Sequence, residues 1–271
     1  MPFTLAHAAA VLPFMRMPVV PVALVAGAMA PDLPYFIMAK PSNDGWFASL
    51  LSGISSHGFT QILTIGLPLA LVLAGFMAFV DRPMRWALPE SWIPVQRAFA
   101  GRPPSRAHLV LWTFHSLLIG LLTHLVWDSF THSTGWVVLQ FPVLSIEPLA
   151  GIPVYRILQH CSSLAGLALL ALWYRKQPRT SYACGMDSMD QSRKARTMLL
   201  VLVCVVPAAA AAFLGLGATP AVEDAASAEL FLQIMILRGG TALLGALAVY
   251  GLAWHAVALH RRLHNPVTTH V

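Results

Sequence analysis

Charge is what this sequence has least of. Only 10% of its 271 residues are Asp, Glu, Lys or Arg, against roughly 25% in an average soluble domain. A soluble fold of this length can bury a large core but still needs a polar surface. There are too few charges here to build one. Cysteine is scarce as well: Cys161, Cys184 and Cys204 are odd in number and widely spaced, which leaves no disulfide framework and no thiolate metal motif. No basic extreme N-terminus precedes the first apolar stretch. Arg16 is its first cation, and Pro2, Pro13, Pro18 and Pro21 interrupt it, so a cleavable signal peptide is not expected. No internal repeat is evident, which argues against a transporter of the inverted-repeat kind.

What the chain has instead is apolar length. It is 57% hydrophobic with a mean hydropathy of +0.68, and several runs approach or exceed the ~20 residues that cross ~30 Å of hydrocarbon as a helix. Val19–Ile37, Gly58–Val80, Leu109–Trp127, Ile157–Tyr174, Met198–Leu216 and Leu232–Ala253 make six candidate spans. The first is short, and Pro31 and Pro34 end or kink it near Asp32. Phe3–Met17, broken at Pro13, reads as an interfacial or re-entrant segment. Ser133–Tyr155, with Pro142, Pro148 and Pro153, reads as a broken or surface-lying element. The expected fold is all-α: a polytopic transmembrane helical bundle of about six spans with one broken or re-entrant region. Residues 1–177 hold nearly all the unusual polar groups and form a membrane domain. Residues 178–271 add a cytoplasmic connection, a C-terminal transmembrane helix pair and a tail.

The formal charge of +6 lies mostly between the runs. Arg82, Arg85, Arg97, Arg102 and Arg106 fill the connection Asp81–His108; Arg175 to Arg196 form another basic stretch, and Arg261 and Arg262 begin the tail. Basic connections mark the cytoplasmic side, so these three belong there, the C-terminus included. The segments around His57, Asp128–Tyr155 and Pro220–Glu229 then face outward. The same scatter forms no compact basic motif, so the expected partners are membrane lipids and not nucleic acid.

The sharpest local signal is THLVWDSFTH, Thr123 to His132. His124, Asp128 and His132 are four residues apart, so their directions on a helix drift by only about 40° per step and all share one face. Imidazole nitrogen and carboxylate oxygen suit a divalent ion such as zinc, manganese or iron. Three such ligands cover more than about 10 Å of straight helix, too far for one ion. Either the helix breaks near Ser129–His132, where Ser133, Thr134 and Gly135 can end it, or two residues bind and the third orients a ligand or holds a second ion. An Asp128 buried beside Leu117–Trp127 would be costly unless paired or metal-bound. In the plainer alternative the helix ends at the interface and Asp128 meets water.

Asp32, in APDLPYF, and His57, in SSHGFT, flank apolar spans on the same side as Asp128 and His132. Alone each is an ordinary helix terminus or interfacial histidine; together they suggest a common site. His7 fits less easily. A simple first span puts it on the opposite face, and it joins the others only if Phe3–Met17 dips inward or the topology differs. His115 points to the far side of its helix, toward a helix–helix hydrogen bond. His160, His255, His260, His264 and His270 read as structural or solvated.

In order along the chain, PFTLAHAAAVLP, MAPDLPYF, SSHGFT, THLVWDSFTHSTGW and YRILQHCSSLAGL resemble the uncharacterised bacterial membrane family catalogued as domain-of-unknown-function family 4184. The resemblance runs through about Trp173 and extends toward the C-terminal spans. More distantly the chain is similar to the YdjM-type family, named as predicted membrane-bound metal-dependent hydrolases. Those proteins carry an early histidine, a proline–aspartate motif, a threonine–histidine–serine motif and a later histidine-x3-aspartate motif. The matching positions are His7, Asp32, His57, His124 and Asp128, with His132 following; Ser56-His57-Gly58 departs from the threonine–histidine–serine form. The resemblance implies a bacterial inner (cytoplasmic) membrane protein holding a divalent metal ion, zinc for example, on His124, Asp128, His57 and His7. Asp32 and His132 are then the candidate catalytic groups, and the substrate an amphiphilic, lipid-linked or envelope phosphoester. The alternatives are a metal or proton translocator and a non-catalytic scaffold. Ligands at both membrane faces would favour translocation; one closed cluster would favour catalysis or a structural metal site.

Overall fold

The computed structural model describes residues 4–37, 56–94, 105–149, 151–178, 191–215 and 225–264. Arg97, Arg102, Arg179, Cys184, Glu223, Asp224 and His270 lie outside them. Among the described residues the chain is helical, with one isolated bridge between Leu149 and Ile152. The short helix α1 (His7–Ala10) is bracketed by 3-10 turns at Thr4–Ala6 and Leu12–Arg16. Helix α2 (Pro21–Met29) opens on a proline, whose missing N–H costs nothing in the first turn. Pro31 then tightens the chain into the 3-10 turn Ala30–Asp32 before α3 (Leu33–Ile37) continues, as a residue without a donor does inside a helical run.

Helix α4 (Leu67–Ala87) is entered through a π-helical turn at Ile62–Gly66. Helix α5 (Arg106–Thr131) starts where the Ser105 hydroxyl accepts the His108 N–H at 3.2 Å, an N-cap. Then come α6 (Trp136–Gln140), α7 (Val154–Lys176), α8 (Gln191–Gly215) and α9 (Ala225–His264).

Among the described residues five stretches are long and apolar enough to cross a membrane: Phe59–Ala87, Arg106–Gln140, Val154–Lys176, Ser192–Gly215 and Ser227–His264. The first expected span survives as the shorter apolar helix Pro21–Ile37, interrupted by its 3-10 turn. Large apolar side chains stand exposed along these helices, Leu164 and Leu214 at 72% each. Hydrocarbon is the solvent that such continuous apolar faces fit, since a helix bonds most of its own backbone groups. The fold is thus that of a multi-pass membrane protein. Helix α9, with 40 residues, is about 60 Å long, so part of it must extend beyond the hydrocarbon.

The chain divides into two compact units, Met1–Gly75 with Gln96–Gln177, and Phe76–Val95 with Pro178–Val271. In the first, α2 and α5 run side by side in the same direction with a constant difference of residue number. The Val20 N–H donates to Ser116 Oγ at 2.9 Å, and the Ser116 proton goes to the Trp112 carbonyl at 2.6 Å. One turn on, Gly120 lies against the Leu24 carbonyl; one turn further, His124 Nδ1 meets the Ala28 carbonyl at 2.7 Å. The contact needs glycine. A Cβ on Gly120 would stand 2.3 Å from Leu24 O, and one on Gly27 would stand 2.3 Å from Leu117 O. Lipid tails are as apolar as leucine, so close packing of small residues and interhelical hydrogen bonds hold such a pair. Val11, Val19, Leu24 and Ala28 fill the space beside it, backed by Phe14, Met15 and Ile119.

In the second unit α8 packs along α9, and Ala87, Leu200, Cys204 and Tyr250 form its core. Thr197 donates to the Ala87 carbonyl at 2.6 Å. His255 is engaged structurally, with Nε2 3.0 Å from the Phe79 carbonyl and its ring stacked on Phe79.

Candidate metal centre

Helix α5 supplies the two central groups. His124 and Asp128, one turn apart, are both buried, His124 completely. The His124 Nδ1–H donates to the Ala28 carbonyl, which turns Nε2 inward, the arrangement seen behind metal-binding histidines. Nε2 then lies 3.1 Å from Asp128 Oδ2.

Two further residues close on the same point. Asp32, 1% exposed in the proline-bracketed turn, brings Oδ1 to 3.8 Å from His124 Nε2. His57 brings Nε2 to 3.3 Å from His124 Nε2, 3.3 Å from Asp128 Oδ2 and 3.4 Å from Asp32 Oδ1. Its other nitrogen is 3.2 Å from Ser56 Oγ, and that hydroxyl spends its proton on the Pro31 carbonyl at 2.7 Å. Ser56 can then only accept from Nδ1–H, which leaves Nε2 as the inward nitrogen. Ligands held at about 2.0–2.1 Å around a tetrahedral ion lie about 3.3–3.4 Å apart. Five of the six separations among His57, His124, Asp32 and Asp128 run from 3.1 to 3.8 Å.

Both oxygens of Asp128, Asp32 Oδ2 and both ring nitrogens of His7 are buried without a hydrogen-bond partner among the described residues. Such groups carry a desolvation cost that pairing normally removes. Burial opposes a charge on His57, but the carboxylates of Asp128 and Asp32 outweigh it and push the imidazole up to about 10. The site therefore favours positive charge at its centre, and its donor set could hold a metal ion.

His7 belongs to this cluster. The turns at residues 4–16 fold it inward, where its ring stacks on His124 at 3.8 Å with an 18° angle and Nε2 lies 3.5 Å from Asp128 Oδ1. The straight first span that would have carried it to the opposite face is not formed. His132 sits at the edge. Helix α5 ends at Thr131, and His132 takes an extended backbone as its C-cap, with Nδ1 3.6 Å from Asp128 Oδ1. Gly135 is what permits that ending: a Cβ there would meet Ser129 O at 2.4 Å and Asp128 O at 2.9 Å. The helix thus runs through Thr131 and ends at His132, inside the stretch where an end was expected. Two overlapping trios, His7–Asp32–His124 and His57–His124–Asp128, each gather their ligand atoms within 4.8 Å. His115 stays outside, bonding the Leu111 carbonyl of its own helix at 2.8 Å and no neighbouring helix among the described residues.

Several residues that build the centre carried no signal that sequence reading used. Ser56 and Ser116 look like ordinary polar neighbours, and Gly27 like a small residue among alanines. Gly120 had a usable one: a lone glycine in an apolar span, one turn before a histidine.

Among curated proteins and solved structures nothing matches the chain. Residues 1–252 match the family model described as Domain of unknown function (DUF4184), and the chain belongs to that family.

Proposed function

We propose that this protein is a metal-dependent hydrolase working at the membrane on an amphiphilic phosphoester, lipid-linked or part of the cell envelope. The observation that carries the reading is that His57, His124, Asp32 and Asp128 stand 3.1 to 3.8 Å apart in five of their six pairs. These four residues would hold the ion, zinc being one that accepts two imidazoles and two carboxylates, and water would have to enter as a further ligand. A bound divalent ion acidifies water and polarises a phosphoryl oxygen. His132, half-buried at the rim with Nδ1 turned to Asp128, keeps Nε2 for taking a proton from water and passing it to the leaving group. Asp32 is better used as a ligand than as a base, because its carboxylate is sealed from solvent.

Two further features support the reading. The polar groups form one closed cluster that includes His7, which favours catalysis over a path with ligands at both faces. A cavity of about 260 Å³ beside the cluster is lined by Ala6, His7, Trp127, Ser162, Gly166 and Leu169. Its wall is mostly apolar, with the Trp127 Nε1–H donating to Ser162 Oγ at 3.3 Å. A hydrocarbon chain lying there would present a headgroup to His7 and the ion.

The deciding experiment is the metal content of the detergent-purified protein beside a His124→Ala/Asp128→Ala double variant of matched folding quality. Stoichiometric metal that the double variant loses, followed by metal-dependent turnover in a phosphoester panel, is the expected result. No bound metal after purification without chelator and metal add-back would overturn the proposal.

A further inference from the structure

Resting on the metal-centre reading above, we infer that the site takes a second divalent cation, joined to the first through the carboxylates of Asp128 and Asp32 and carried on its far side by His7. The first ion uses Asp128 Oδ2 and Asp32 Oδ1, the oxygens that face His57 and His124. That leaves Asp128 Oδ1 and Asp32 Oδ2, both buried without a hydrogen-bond partner among the described residues. Each carboxylate has lone pairs enough on two oxygens to serve two ions. His7 supplies the remaining donor: Nε2 is 3.5 Å from Asp128 Oδ1, and both its nitrogens are buried and unbonded.

His124 cannot serve both ions, because Nδ1 is committed to the Ala28 carbonyl and a lone pair on Nε2 holds one metal. The stacking of the two rings gives the spacing. His7 and His124 are nearly parallel with centroids 3.8 Å apart, and ions in two-metal sites stand about 3.5–4 Å apart. Parallel imidazoles at that separation suit neighbouring ions, one each. His132 Nδ1, 3.6 Å from the same Asp128 Oδ1, stands on the outer side of this second position.

Charge decides when the second position fills. Two carboxylates balance one divalent ion; a second leaves two positive charges in a buried place, which an anion must match. Occupancy of the His7 position is therefore coupled to an anion, the phosphoester of the proposed reaction or free phosphate in its stead.

The test uses the full chain in detergent, stripped of metal and reloaded with Mn2+ in the presence of inorganic phosphate, and counts metal per chain by mass spectrometry. Two ions per chain are expected in the wild type, with a spin-coupled pair in its paramagnetic resonance spectrum. His7→Ala, or His7→Gln if the smaller side chain unfolds the protein, is expected to retain one ion and give an uncoupled spectrum. One ion in both proteins would overturn the second site while leaving the first intact; loss of all metal in a folded His7 variant would overturn it too, by making His7 a ligand of the first ion. No metal in the wild type would instead sink the metal-centre reading itself.

Discussion

Gly120 presses so closely on Gly27 that a Cβ on Gly120 would stand 2.8 Å from the Gly27 Cα. The Ala28 carbonyl that orients His124 is the next residue along α2, so the glycine contact and the imidazole orientation are one piece of geometry. Gly120→Ala must separate the helices. It is expected to cost about 1–3 kcal/mol, the usual range for overpacking, and to reduce bound metal. Gly75→Ala, where an added Cβ meets nothing within 4 Å, is expected to change neither. Thermal unfolding in detergent and metal content, measured on both variants, check this.

Removing the hydroxyl behind His57 should weaken metal binding without abolishing it. Ser56→Ala takes away the acceptor that fixes Nδ1, and losses of this kind typically cost about 10–100-fold in affinity. Competition against a chromophoric chelator measures the change. An affinity equal to wild type would show that the Ser56–His57 contact does not position the ring.

Metal affinity should fall as pH falls. With His57 held up at about 10, an incoming ion must displace its proton at every pH below that value. One displaced proton means about tenfold weaker apparent binding per pH unit lowered. Calorimetry in buffers of different ionisation enthalpy is expected to show protons released on binding at neutral pH. Uptake of protons would contradict the assignment.

The groove beside His7 should select for chain length. Ala165 lines it and is exposed, so Ala165→Phe fills the space with little cost to folding. The apparent KM for a long-chain phosphodiester should rise about tenfold or more, since each buried methylene contributes about 0.8 kcal/mol. A short-chain analogue should be hydrolysed as by the wild type. Equal effects on both would place the substrate chain elsewhere.

Composition and hydropathy were enough to read a multi-pass helical membrane protein, because exposed apolar helices leave their mark on every turn. His124 and Asp128 were legible for the same local reason: a spacing of four puts both on one face of α5. His7 was not. Whether residues 4–16 form turns or run straight depends on what they pack against, and no periodicity in so short a segment records it. Ser56 escaped for another reason. Its role is to accept one proton and give one, and any serine beside a histidine reads the same until Pro31 is known to lie 2.7 Å away. The pairing of α2 with α5 joins residues 96 apart, beyond the reach of local pattern.

That fixed difference of 96 limits how the chain can change in length. Val20 meets Ser116 and Ala28 meets His124, so each of these helices is measured against the other at two points. An inserted residue between Ser116 and His124 would swing the imidazole by about 100° and take it off the Ala28 carbonyl. Length variation among related chains should therefore gather in the connections and stay out of residues 20–28 and 116–128, however freely the apolar side chains there are exchanged.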